Sequence, residues 1–139
     1  MNNKMELRFP GISANEGFAR ICAAAFASQL DPTLEEIADI KTAISEAVTN
    51  AIVHAYQEKG GEVVLRGELG ERFVRFEIED SGKGIENLEE ALQPFYTTCQ
   101  GEERSGMGFT VMQTFMDEMQ VASQPGQGTK VTLFKKIGK

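Results

Sequence analysis

A change of periodicity at Gly60-Gly61 constrains this chain more than any other feature. Before it, apolar residues recur at helical spacing; after it, they alternate with polar ones. Upstream, Thr33 followed by Glu36 makes a capping box. It opens a helix expected to reach about residue 57, with Ile37, Ile40, Ile44, Ala47, Val48, Ala51 and Ile52 on the buried side. A shorter helix comes first, with Ser13 and Glu16 as a second capping box and Phe18, Ile21, Cys22, Ala25 and Phe26 as its apolar stripe; Asp31-Pro32 ends it. Downstream, residues 63–69 and 73–79 read as a hairpin turning at Gly70-Glu71. A short helix is expected near 88–93 and another over 106–117, followed by strands 119–123 and 129–135 around the turn Pro125-Gly126-Gln127-Gly128. With a first strand at 4–9, the order is β-α-α-β-β-(α)-α-β-β. That is not the strict alternation of a doubly wound sheet. It predicts an α+β two-layer sandwich, with helices on one face of a mixed, largely antiparallel sheet.

The 139 residues are expected to form one domain over 1–139, with 41% hydrophobic and 25% charged residues, ordinary for a globular chain. No run approaches the ~20 apolar residues that span a bilayer, and Met1 to Glu6 has no apolar signal core, so a cytoplasmic protein with no membrane partner is expected. Cys22 and Cys99 suit two reduced thiols rather than a disulfide framework, and a single histidine, His54, excludes a His-rich metal site. The net charge of −7 leaves no basic footprint for direct nucleic-acid binding. Any effect on gene expression would run through protein contacts.

Three short segments carry chemistry. Glu46, Asn50 and His54 recur every four residues on the long helix, and four residues rotate only about 40° around an α-helix, so they share a face. Alone, that is a solvated polar stripe. Yet Ala47, Val48, Ala51, Ile52 and Val53 surround it, so the carboxylate and amide lie in largely covered ground and need partners. Asp80 shares a strand face with Val74, Phe76 and Ile78 and opens Asp80-Ser81-Gly82-Lys83-Gly84. The plain reading is a turn aspartate bonding its own backbone; the functional one is a buried acceptor for an adenine amino group, with Gly82 and Gly84 allowing close approach. Arg104-Ser105-Gly106-Met107-Gly108-Phe109 runs into a helix whose free amides suit phosphate, although a flexible helix start would look the same. Thr129, on the face of Val131 and Leu133, could meet Asp80, although an isolated Gly-Thr is a weak signal and reads more simply as an ordinary strand-start threonine.

Together, Glu46-x-x-x-Asn50, Asp80-x-Gly82-x-Gly84, Gly106-x-Gly108 and Gly128-Thr129 resemble the GHKL ATPase/kinase superfamily and its Bergerat fold. The resemblance implies ATP with Mg²⁺, Glu46 as general base and Asn50 as the Mg²⁺ ligand. It further implies a nucleotide site of Asn50, His54, Asp80, Gly82, Gly84, Ile85, Thr97, Thr98, Arg104, Ser105, Gly106, Met107, Gly108, Phe109 and Thr129. Within that superfamily, residues 31–33, 45–54, 95–98 and 103–109 are similar to the SpoIIAB family of sporulation anti-sigma-F factors. That likeness implies a homodimeric serine kinase that holds sigma factor F, phosphorylates the anti-anti-sigma factor SpoIIAA, and meets a partner through Arg20. His54 lies inside the nucleotide helix and is a poor phosphoacceptor, so a hydroxyl on another protein is the expected target. The alternatives are an RsbW-like switch kinase for a stress-response sigma factor, a nucleotide-gated binding module without kinase activity, and a structural domain without nucleotide.

Overall fold

The computed structural model describes residues 2–55, 61–82 and 108–138, with backbone alone at 54 and 55. Strands β1 (Asn3–Pro10), β2 (Glu62–Gly70), β3 (Phe73–Asp80), β4 (Glu118–Gln124) and β5 (Gly128–Lys136) form one sheet in the order β1-β2-β3-β5-β4. All four pairings are antiparallel, so among the described strands the sheet is less mixed than expected. Two tight turns set the central registers. Arg72 takes φ 60 between β2 and β3, and Gly126 takes φ 78 between β4 and β5.

Alternation assigns the two faces. Phe9, Val63, Leu65, Val74, Phe76, Ile78, Val131 and Leu133 are buried with the helices in one core. The other face is a lattice of opposite charges, in which Arg66 bonds Glu6 at 3.0 Å and Glu79 at 2.8 Å, and Arg75 bonds Glu68 at 2.9 Å. Exposed pairs of this kind add little stability; they mark the face that water occupies.

Helix α1 (Ala14–Ala27) departs from the sequence reading in two ways. Its buried residues are Ala19, Ala23, Phe26 and Ala27, whereas Phe18 and Ile21 are 48% and 62% exposed and Ala25 is exposed too. Small side chains let α1 lie close against its neighbours, so the narrow alanine strip wins the inside and the larger apolar residues turn outward. The first capping box is also absent. Ser13 already has helical dihedrals (φ −55, ψ −34), while a capping side chain needs extended backbone.

Helix α2 (Leu34–Thr49) begins as expected. Thr33 is extended (φ −70, ψ 164), its hydroxyl accepts from Glu36 N–H at 3.0 Å, and Glu36 accepts from Thr33 N–H at 2.8 Å. The other Glu36 oxygen accepts from Gly138 N–H, tying the chain after β5 to the start of α2. The α-helix does not run on to residue 57, because Asn50–Ala55 is a π-helix. Its wider turn ends the four-residue rule at Asn50, a departure common where function distorts a helix.

Helix α3 (Gly108–Phe115) is shorter than the expected 106–117 within the described residues, and its far end is bound to β5. The buried Lys135 donates to the Phe115 carbonyl at 2.8 Å and lies 3.4 Å from Asp39 on α2, while Asp117 N–H donates to Phe134 O at 2.9 Å.

A tight inter-layer contact lies at Gly67 on β2. A Cβ there would lie 2.7 Å from the Phe26 ring, which itself meets Phe76 edge-on at 6.4 Å. Gly67→Ala should lower unfolding free energy by about 1–3 kcal/mol through overpacking. Urea denaturation checks this; a change under about 0.5 kcal/mol, the ordinary range for surface substitutions, would mean that α1 yields freely over the sheet.

Candidate functional site

Two polar clusters flank the π-helix, which packs against β3 and β5. The first joins α2 to the start of α3. Glu46 and Asn50 are half-buried, between the fully covered Ala47, Val48 and Ala51. Gly108 opens α3 directly against them. A Cβ on it would lie 3.2 Å from Asn50 Oδ1, 3.3 Å from Asn50 Nδ2 and 3.4 Å from Glu46 Oε2. Glycine therefore lets the first helical backbone of α3 reach a carboxylate and an amide, and the N-terminal end of a helix favours anions. Phe109 packs on the core beside it and steadies the approach.

The second cluster is a cross-strand row on the helix-covered face. Val63, Asp80, Thr129 and Ser123 are successive Cα partners across β2, β3, β5 and β4. Asp80 is 8% exposed, and its Oδ1 accepts from Gly82 N–H at 2.9 Å, which is the turn bond of the plain reading. Burial drives its pKa above the ordinary carboxylate range. The amides of Gly82 and Thr129 pull it back, and the charge of Glu79 adds to the rise. Gly128 makes the row possible: its φ is 91, and any Cβ would collide with the Asp80 carbonyl oxygen and sit 2.8 Å from Ser81 Cα. A shallow groove of about 240 Å³ opens along this end of the sheet, lined by Asp80, Ser123, Gly128 and Thr129 among others.

Arg20 stands on α1 in a closed network. Its Nη1 donates to Glu16 Oε2 at 2.9 Å and to Ser45 Oγ at 3.4 Å, and Ser45 Oγ donates to the same Glu16 oxygen at 2.8 Å. Glu16 is thus spent on this network rather than on a cap. The exposed Phe18 and Ile21 lie to either side of Arg20 in sequence.

Of the residues expected in a nucleotide site, Glu46, Asn50, Gly108 and Phe109 come together at one cluster, and Asp80, Gly82 and Thr129 at the other. Gly84, Ile85, Thr97, Thr98, Arg104, Ser105, Gly106 and Met107, and the side chain of His54, lie outside the described residues. Ser123 was not singled out from the sequence. The alternation Met119, Val121, Ser123 puts it on the inner face, but only the β4–β5 register pairs it with Thr129.

Among the described residues, no group of three or more His, Cys, Asp or Glu side chains is gathered for a metal, and no helix is long and apolar enough to cross a membrane. A Mg²⁺-nucleotide fits this donor set. Mg²⁺ prefers hard oxygens, keeps several waters and takes one or two protein ligands beside phosphate oxygens. Asn50 Oδ1, at the Gly108 approach, offers one such ligand, with the Glu46 carboxylate beside it left uncommitted.

The raised Asp80 pKa gives a signed expectation. A group with a higher pKa folded than unfolded supports the fold fully below its unfolded pKa, and that support is lost as pH rises through the folded value. At pH 7 the ligand-free protein therefore holds a buried charge at a penalty. Asp80→Asn should raise the melting temperature at pH 7, and the gap should close as pH falls toward the ordinary carboxylate range. Thermal melts from pH 4 to 8 check this. A variant less stable at pH 7 than at pH 4, relative to the native chain, would contradict it.

Residues 14–135 match the histidine kinase-like ATPase domain family. The chain is 59% identical over 138 residues to the anti-sigma F factor of Caldanaerobacter subterraneus, covering 99% of this chain and 96% of that one. It is 55% identical over 137 residues to the anti-sigma F factor of Clostridium acetobutylicum, with 99% and 96% covered. Among solved structures, the RsbU and RsbW domains of a Mycobacterium tuberculosis protein superpose with a TM-score of 0.70 at 20% identity, over 97% of this chain and 32% of that one. The catalytic domain of histidine kinase ThkA superposes with a TM-score of 0.59 at 15% identity, over 97% and 96%. These two likenesses speak to the fold, and the relatives to the family: the chain belongs to the histidine kinase-like ATPase domain family and, within it, to the anti-sigma F factors.

Proposed function

We propose that this chain binds Mg-ATP, acts as a serine kinase on the anti-anti-sigma factor SpoIIAA, and holds sigma factor F in an inhibited complex. The observation that carries the kinase reading is the approach of Gly108 to Glu46 and Asn50, which sets a general base, an oxygen ligand and a helix N-terminus around one point. Phosphoryl transfer asks a protein chiefly for positioning and charge neutralisation, and this set supplies both. Asp80 accepts from the adenine amino group, and Thr129 lies beside it in the row. The amides opening α3 face the phosphates. Glu46 takes the proton of the acceptor serine hydroxyl as that oxygen attacks. When bound, Mg²⁺ neutralises charge on the phosphate oxygens, and Asn50 is the residue that would hold it.

Partner binding has separate support. The relatives at 59% and 55% identity are named anti-sigma F factors. On α1, Phe18 and Ile21 are exposed one helical turn apart, apolar surface of the kind that protein interfaces cover. The acidic balance argues for protein rather than nucleic-acid partners. Strand β1 is an edge of the sheet, which suits pairing across a two-fold axis in a homodimer.

Glu46→Gln keeps shape and hydrogen bonding but removes the base. Phosphate transfer from labelled ATP to SpoIIAA should fall by about 10²–10⁴-fold, with ATP affinity and sigma-factor capture retained. Transfer at the native rate would end the general-base assignment. A stoichiometric complex with SpoIIAA that never becomes labelled, even with native protein, would end the kinase reading. Asn50→Ala should instead weaken Mg-ATP binding itself, which calorimetry with and without Mg²⁺ can read.

A further inference from the structure

We infer that the buried Lys135 is a positioning residue for the nucleotide site, acting from its far side: it holds the C-terminal end of α3 against α2 and so aims the N-terminal end at the phosphates. The inference deepens the ATP reading above and rests on it. Lys135 lies on the same face of β5 as Thr129, about 20 Å along the strand from it. Its Nζ donates to the carbonyl of Phe115, the last residue of α3, at 2.8 Å and stands 3.4 Å from Asp39 Oδ2 on α2.

The two helices are matched in length at this contact. Glu46 lies seven residues beyond Asp39 on α2, and Phe115 lies seven residues beyond Gly108 on α3. Seven residues are nearly two turns, so each pair shares a helix face and stands about 10 Å apart. The helices run in opposite directions. Gly108 lies against Glu46 and Asn50 at one end, and Phe115 is joined to Asp39 through Lys135 at the other. Helix α3 is therefore held at both ends by one face of α2.

Apolar burial alone does not fix that alignment. Among the described residues of α3 the buried side chain is Met112, and the buried Met116 follows just past its end. Burial is non-directional and methionine adapts to more than one neighbour, so a two-turn helix packed on methionines can tilt at little cost. A hydrogen-bonded cation sets a direction. Without it, the Asp39 carboxylate and the Phe115 carbonyl would face each other as two acceptors and push the end of α3 away from α2. A tilt at Phe115 re-aims the amides at Gly108, and hydrogen bonds to phosphate weaken steeply with angle. Asp80 and Thr129 stand on β3 and β5, so the adenine half of the site keeps its place.

The test is Lys135→Met, which keeps most of the side chain's length and removes its charge. Affinities of the full chain for ATP and for adenosine are measured by displacement of a fluorescent nucleotide. ATP should bind about tenfold more weakly, the worth of one charge-assisted hydrogen bond, and adenosine within about twofold of native. A role confined to stability would lower the melting temperature and leave the ratio of the two affinities unmoved; that result overturns the inference. Gly67→Ala, destabilised through α1, is the control and should keep the native ratio, so an equal fall there overturns it too. Asp39→Asn weakens the same tie from α2 and should lower the ratio in the same direction by less. It decides if Lys135→Met does not fold, an unmoved ratio again counting against the inference. Where adenosine is too weak to displace the probe, the ATP affinity of each variant relative to Gly67→Ala decides instead. A native chain that binds no ATP ends the nucleotide reading, and this inference with it; a native chain that binds ATP with the ratio unmoved in the variants ends this inference alone.

Discussion

Helix α2 meets two demands at once, and the rest of the structure follows from how it does so. One side buries Ile40, Ala43, Ile44, Ala47 and Val48 in the core, which holds the helix in place. The other side keeps Glu46 and Asn50 half-covered at the start of α3. A carboxylate in a loop would be free to wander; on a helix whose opposite side is packed, it has little rotational freedom. Helix α3 is held in turn from its far end, where Lys135 and Asp117 bind it to β5. Its N-terminus is thereby presented to α2 at a fixed distance. Ser45 extends the same logic to α1 by joining the Glu16–Arg20 pair, so α2 is a wall shared by the outward-facing helix and the proposed site.

Where local rules acted alone, the sequence was a sufficient guide. The Thr33–Glu36 box, the alternation of β2 and β3 and the inward side of Asp80 are each decided by residues near in the chain. Where two elements compete, local rules ran out. The stripe of Phe18 and Ile21 looked like the inside of α1 because they are the larger apolar residues. Packing of α1 against α2 instead turned Ala19, Ala23 and Ala27 inward, with Phe26 set over Gly67. The π-helix at Asn50 is a backbone event with no signature among Asn50, Ala51, Ile52 and Val53, which would sit equally well in an α-helix. Ser123 shows a third limit. Its face could be read from alternation, but its partner depends on the register between β4 and β5, and register is a property of two strands.

Among the described residues two ionisable side chains are buried, and they are held differently. Asp80 and Lys135 are each 8% exposed, so both have lost most of their hydration. Lys135 recovers it within the protein, from the Asp39 carboxylate and the Phe115 carbonyl, and the result is a structural tie. Asp80 recovers only part, because the amides of Gly82 and Thr129 donate to it without neutralising it. Among the described residues no cation pairs with it, and a buried carboxylate so placed is a penalty on the fold. One substitution to asparagine would remove such a penalty, so an aspartate at this place asks for a compensating gain. A bound group that donates to Asp80 supplies it, and because that group binds only the folded chain, its affinity returns as stability by mass action. The unneutralised charge that weakens the empty protein is then the same free energy that favours the occupied one.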